Sequence, residues 1–165
     1  MTPKATLISM CVALSFATCA AAEGIQVQGP YAITTGVSAQ TGAAFMAIHN
    51  QGDTDDALIG VQSVAARLVE LHSHTLTDDG VMSMGKVTDP VPLPAGGDII
   101  LDRGGYHVMF MGLTMPFDDG AMIPVTLVFA VAGEVEVEVP VNLSRLHDSM
   151  EMGEMEMDEL EIDGE

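Results

Sequence analysis

Gly104-Gly105-Tyr106-His107-Val108-Met109-Phe110-Met111-Gly112-Leu113 is the stretch whose reading decides the fold of this chain. Aromatic and β-branched residues follow a Gly-Gly turn and Gly112 marks the exit, which is the composition of a β-strand. Side chains alternate faces along a strand, so His107 and Met109 share one face and Met111 continues the row. An imidazole and a thioether two residues apart make half of a soft-metal site. His72, with Met82 or Met84, is the candidate for the other half. A nitrogen and sulfur site without cysteine suits Cu(I) better than zinc, calcium or iron.

The flanking sequence is of the same kind. From Ile25 to Val141 no window of helical length carries a 3.6-residue apolar period, while short β-type runs recur between turn residues. Ala43 to His49 reads as a strand ending at Asn50-Gln51-Gly52-Asp53. Ala57 to Val61 and Ala66 to His72 follow, and the Asp79-Gly80 turn leads into Val81 to Val87. Pro90, Pro92 and Pro94 demand an extended passage that no central strand tolerates. Asp98 to Leu101 is a short strand before the Gly-Gly turn. Val125 to Val131 and Glu134 to Val141 form a final hairpin, with Val135, Val137, Val139 and Val141 on one face and Glu134, Glu136 and Glu138 on the other. One buried and one solvated face is the pattern of a sandwich of two antiparallel sheets.

The ends differ in character. Residues 1–22 have the composition of a secretory signal: Lys4 in the n-region, an apolar run from Leu7 to Phe16, and Ala20-Ala21-Ala22 as the cleavage site. The run is too short to span a membrane. Phe16 occupies a position where a lipoprotein signal at Cys19 would want an aliphatic residue, which weighs against lipidation there. Cleavage after Ala22 removes Cys11 and Cys19 and leaves a thiol-free domain over 23–145 in a compartment that permits disulfides, the periplasm. Losing Lys4 leaves Arg67, Lys86, Arg103 and Arg145 against all 24 acidic residues, so the formal charge moves from −19 to −20. With no basic patch to neutralise phosphates, nucleic acid is excluded as a partner, and no stable membrane insertion is expected. Residues 146–165 form an acidic, Met-rich tail that can bury little and is expected to be disordered.

Four side chains can close around one ion: His72, Met84, His107 and Met109. Thioether sulfur needs no deprotonation, so such a site persists at mildly acidic pH and holds copper loosely enough to hand it on. A strand histidine is commonly a hydrogen-bonded structural residue and a methionine is commonly core filler. Here two His–Met pairs beside Gly-containing turns, in a cysteine-free mature chain, favour ligation. Met82 shares a face with Met84, and spacing does not choose between them. His74 shares a face with His72 and either substitutes for it or is solvated. His49 abuts a polar turn and reads as structural or exposed, and Met111, Met115 and Met122 read as packing. The tail residues His147, Met150, Met152, Met155 and Met157 offer a secondary site, for Cu(I) through sulfur or for Cu(II) through imidazole and carboxylates.

Val69-Glu70-Leu71-His72, Gly80-Val81-Met82-Ser83-Met84, the Gly104 to Leu113 stretch, and Pro124-Val125-Thr126-Leu127-Val128-Phe129 with the closing valine strand together resemble the PCuAC family of periplasmic copper chaperones. The resemblance covers Ile25 to Val141. It implies a cupredoxin-like Greek-key β-sandwich holding Cu(I) on two histidines and two methionines, which by position are His72, Met84, His107 and Met109. The family pattern is His, ten residues, Met, twenty-one residues, His-x-Met. Here the gaps are eleven and twenty-two, one extra residue in each connection, which a loop absorbs at little cost and which keeps Met82 in play. The implied role is delivery of copper toward the CuA centre of cytochrome c oxidase, with subunit II or a Sco-type copper carrier as partner.

Other functions fit less well. A blue-copper electron carrier needs a cysteine thiolate, which the mature chain lacks. No acid/base pair or nucleophile set accompanies the ligands, so no enzyme is expected. A copper-buffering protein without a dedicated acceptor is the alternative, and the Met-rich tail is its support.

Overall fold

The structure, a computed structural model, describes residues 24–34, 36, 39–76 and 82–145, without the side chains at 75, 76 and 82. Ten strands make two sheets. They are β1 (Ile25–Thr34), β2 (Thr41–Asn50), β3 (Asp56–Gln62), β4 (Ala66–Leu76), β5 (Met82–Lys86), β6 (Val91–Leu93), β7 (Asp98–Leu101), β8 (Tyr106–Leu113), β9 (Met122–Phe129) and β10 (Glu134–Pro140). One sheet has the order β1-β2-β7-β8-β4-β5, with β2 also pairing β8; the other has β10-β9-β3-β6. The all-β sandwich expected from the alternation is the architecture found, in the cupredoxin-like form that the family resemblance implied.

The alternation works residue by residue. Along β8, Val108 and Phe110 point between the sheets and are fully buried, in one core cluster with Ile48 and Leu101 of the same sheet and Leu58, Ile123 and Leu127 of the other. Each such aliphatic or aromatic side chain contributes roughly 1.5–3 kcal/mol by leaving water. In the β9–β10 hairpin Val139 is fully buried, while Val135 and Val137 are only half-buried because β10 is an edge strand. The glutamates of β10 face solvent.

Several elements differ from their sequence-based bounds. The proline passage forms a three-residue strand, β6, but at the edge of its sheet, where a missing N–H is tolerated. β4 runs past His72 to Leu76 because β5 returns beside it as far as the Leu76–Met82 pair. Gly112 lies inside β8, not at its exit. It takes a left-handed φ of 69°, and the Arg67 side chain packs where a Cβ would stand. Met115 and Met122 are exposed, so they do not pack the core as their apolar character suggests. The signal segment, both cysteines and the tail candidates His147, Met150, Met152, Met155 and Met157 lie outside the described residues.

Candidate metal centre

The candidate ligands lie on the face of the six-stranded sheet that points away from the core. Val108 and Leu71 fill the interior, so their neighbours in sequence turn outward: Glu70, His72 and His74 from β4, His107 and Met109 from β8. The register aligns them in rows. Lys86 on β5, His72 on β4 and His107 on β8 form one row; Glu70 and Met109 form the next. On the other side of the histidine row, Met84 pairs with His74, whose N–H donates to the Gly105 carbonyl at 3.3 Å.

Three imidazoles converge here. The ring centroids of His72 and His107 are 6.0 Å apart, and those of His74 and His107 are 5.3 Å apart. The structure therefore brings together His72, His107 and Met109 directly. It sets Met84 on the edge strand with His74 between it and His107. Met84 is half exposed, as an edge position allows. Met82 pairs with Leu76, one step further along the hairpin from the histidine row than Met84. Among the described residues no three His, Cys, Asp or Glu side chains alone are gathered closely enough to hold an ion.

An outward face is expected to be wet, yet His107 is only 4% exposed. Phe45 on β2 explains this. Ala44, Met46 and Ile48 point into the core, so Phe45 points out, where its ring centroid lies 6.2 Å from that of His107 and 5.0 Å from that of Tyr31. Arg103 lies over Phe45 at 5.7 Å and Arg145 over Tyr31 at 4.2 Å. Two of the five Lys and Arg residues of the chain thus roof an aromatic cluster beside the imidazoles. No local pattern marks Phe45 for this, because its neighbours along β2 are apolar too.

The Gly104-Gly105 turn positions His107. Gly104 has φ of 92°, and a Cβ on Gly105 would collide with Asp102 Oδ1. The Gly105 carbonyl lies 3.3 Å from His107 Nδ1, so Nδ1 carries the proton and Nε2 keeps its lone pair. Burial pushes the His107 imidazole below its ordinary value; the Gly105 contact opposes this, and the neighbouring His74 and His72 add to it. His72 is oriented by Glu70, whose carboxylate lies 3.2 Å from its Nε2 and accepts from Lys86 Nζ at 2.6 Å. Lys86 first, and His72 second, hold the Glu70 carboxyl below its usual range. His72 Nδ1 is buried with no hydrogen-bond partner. An unpaired buried acceptor is unfavourable in a polar residue that packs no core, and a bound cation would satisfy it. Neutral imidazole lone pairs beside thioethers form a donor set that fits a soft monovalent ion.

His49 shares this outward face but stands apart from the histidine row; it pairs with Asp98 across β2 and β7. Sequence reading left His74 open between ligand and solvated residue. A two-residue turn at Asp79-Gly80 would set residue 74 opposite 85; the observed register sets it opposite Met84, which the turn signal alone did not give.

Sheet order, thiol-free site and histidine–methionine face define a cupredoxin-like domain of the PCuAC kind. The chain belongs to the LpqE-like family, described as "Putative lipoprotein LpqE-like", whose model matches residues 25–141. It is 37% identical over 120 residues to "Putative lipoprotein Lxx21020" of Leifsonia xyli subsp. xyli (strain CTCB07), covering 73% of this chain and 70% of that protein. Among solved structures it is similar to apo-DR1885 from Deinococcus radiodurans, with 27% identity, a TM-score of 0.59, and coverage of 87% of this chain and 95% of that one. The Cu(I) form of DR1885 matches with 29% identity and a TM-score of 0.54 over 76% of this chain and 85% of that one. The copper-bound PCuAC domain of PmoF2 matches with 26% identity and a TM-score of 0.58 over 73% and 93%. No helix among the described residues is long and apolar enough to cross a membrane.

Proposed function

We propose that this protein is an exported copper chaperone that carries Cu(I) on His72, His107 and Met109, with Met84 as the fourth ligand. The observation that carries the reading is the His72–His107 row itself. Two imidazoles face each other across β4 and β8, one with a buried and unbonded Nδ1, and a thioether stands in the next row. The likeness to domains solved with copper supports the same ion here. All four donors are neutral and none is a thiolate, so the ion is held less firmly than in a cysteine site and passes readily to stronger ligands. Cargo of that kind suits a carrier, and the acceptor we propose is the CuA centre of cytochrome c oxidase. Transfer runs to subunit II directly or through a Sco-type carrier, in the periplasm.

Copper titration under reducing conditions, with ligation read by X-ray absorption, tests the site: one Cu(I) with mixed nitrogen and sulfur ligation is expected, and oxygen-only ligation would overturn it. Mixing the loaded protein with an apo CuA domain tests the role. Near-stoichiometric transfer supports delivery. Retention of copper by the loaded protein, with normal oxidase activity in cells lacking it under copper limitation, would favour buffering without a dedicated acceptor, the reading that the methionines at 150, 152, 155 and 157 support.

A further inference from the structure

Glu70 stands opposite Met109, one row from the histidine pair, and its carboxylate ties two other side chains together. Oε1 accepts from Lys86 Nζ at 2.6 Å, and Oε2 lies 3.2 Å from His72 Nε2. An ionised carboxylate only accepts, so the His72 nitrogen that faces it carries the proton. The lone pair is then on Nδ1, the one buried side-chain nitrogen or oxygen among the described residues without a hydrogen-bond partner. His107 is set the other way round, with Nδ1 on the Gly105 carbonyl and its lone pair on Nε2.

We infer that Glu70, held in place by Lys86, is a positioning residue that locks His72 with its proton on Nε2 and makes Nδ1 the donor this ring offers to a soft metal. The two histidines thus present different nitrogens, Nδ1 from His72 and Nε2 from His107. Register explains the difference. His72 has a carboxylate two residues before it on its own face, whereas His107 follows a glycine turn whose carbonyl is in reach. Only one ring nitrogen of each is then left unprotonated, so the pair offers copper a single ligand arrangement rather than a choice of several. Outer contacts of this type commonly change metal affinity by about 10–100-fold when removed.

The inference rests on the copper reading for the identity of the ion, but the locked ring is a property of the copper-free chain. Histidine-selective nitrogen NMR on the full chain, at mildly alkaline pH with and without Cu(I), separates the two. Without copper, His72 is expected protonated on Nε2 and His107 on Nδ1. Cu(I) is expected to shift Nδ1 of His72 and Nε2 of His107. Glu70→Ala is expected to weaken Cu(I) binding by about 10-fold or more, while Glu70→Gln, whose amide oxygen still accepts from Nε2–H, keeps most of the affinity. Glu70 lies outside the core, and circular dichroism checks that both variants fold. A His72 proton on Nδ1, a copper-induced shift at His72 Nε2, or wild-type affinity in Glu70→Ala would each overturn the assignment. The expected tautomers with no copper-induced shift at either ring would uphold the positioning role and overturn the copper reading instead.

Discussion

His72 stands directly across from His107 in the β4–β8 register, and their rings meet edge to face with centroids 6.0 Å apart. Each ring has one nitrogen committed to a neighbour, a carboxylate for His72 and a backbone carbonyl for His107. The remaining lone pairs belong to two neighbouring strands of one rigid sheet. Preorganisation of this kind lowers the ordering needed when an ion binds.

His107→Ala and Met109→Ala should each weaken Cu(I) binding by more than ~100-fold, beyond the usual effect of losing an outer contact. Both residues point away from the core, so both copper-free variants should fold. The thermal midpoint should move little for Met109→Ala and fall somewhat for His107→Ala, whose ring is buried under Phe45. Competition titration with a Cu(I) chelator measures the first, and calorimetry the second. Wild-type affinity in Met109→Ala would remove it from the ligand set.

The hairpin register separates the two methionines that sequence spacing left equivalent. Met84 pairs with His74, nearer the histidine row, and Met82 pairs with Leu76. Met84→Ala should therefore weaken Cu(I) binding by about 10-fold or more, and Met82→Ala by clearly less. His74→Ala should also weaken it, since His74 lies between Met84 and His107. The opposite order for the two methionines would make Met82 the ligand.

Acid should destabilise the copper-free protein through His107. Burial foremost holds its imidazole below the ordinary value of 6.5. The unfolded chain then binds the proton more readily than the folded one, so this contribution is complete above about pH 6.5 and is lost as pH falls through the folded value. Denaturation midpoints measured from about pH 7.5 to about pH 5 should decline, and His107→Gln should flatten the curve. A flat wild-type profile would contradict the buried setting.

Asp56 should matter for stability and not for copper. Its Oδ1 accepts from the N–H of Ala57 at 2.7 Å and Val131 at 2.8 Å, and Oδ2 from that of Ala132 at 2.9 Å, tying the β9–β10 turn to β3. Burial pushes its carboxyl up, but the backbone donors outweigh burial and leave it below the usual range. Asp56→Ala should cost about 1–3 kcal/mol by leaving these donors unpaired, with Cu(I) affinity unchanged. Urea denaturation and chelator competition read the two effects separately.

Truncation after Leu146 should remove a second, weaker copper equivalent and leave the first intact. The segment beyond carries His147 and four methionines two to three residues apart. Fixing a chain segment around an ion costs about 1–2 kcal/mol per residue, so an equivalent held there should be weaker than the one on the sheet face. Equal stoichiometry for full-length and truncated protein would return this segment to a solvated acidic extension.

What the amino-acid sequence determined by itself was local. Period-two alternation puts His107 and Met109 on one face and Val108 and Phe110 on the other, and the Gly-Gly and Asp-Gly turns mark where strands begin. The same rule, repeated through the valine and glutamate strand, was enough for an all-β sandwich. The pairing of His74 with Met84 was not among these, since the Asp-Gly turn signal alone does not fix the β4–β5 register. Tertiary structure alone decided which strands lie side by side. His72 meets His107 because burial of Leu71 and Val108 in a common core fixes the β4–β8 register between segments far apart in the chain. The β4–β5 pairing sets Lys86 across from His72, next to the Glu70 that alternation along β4 already places on that face. Phe45 covers His107 because β2 also pairs β8, which turns an outward-facing histidine into a buried one. Neither alternation nor spacing encodes such neighbours: they follow from how two sheets share one interior, and that is a property of the whole chain.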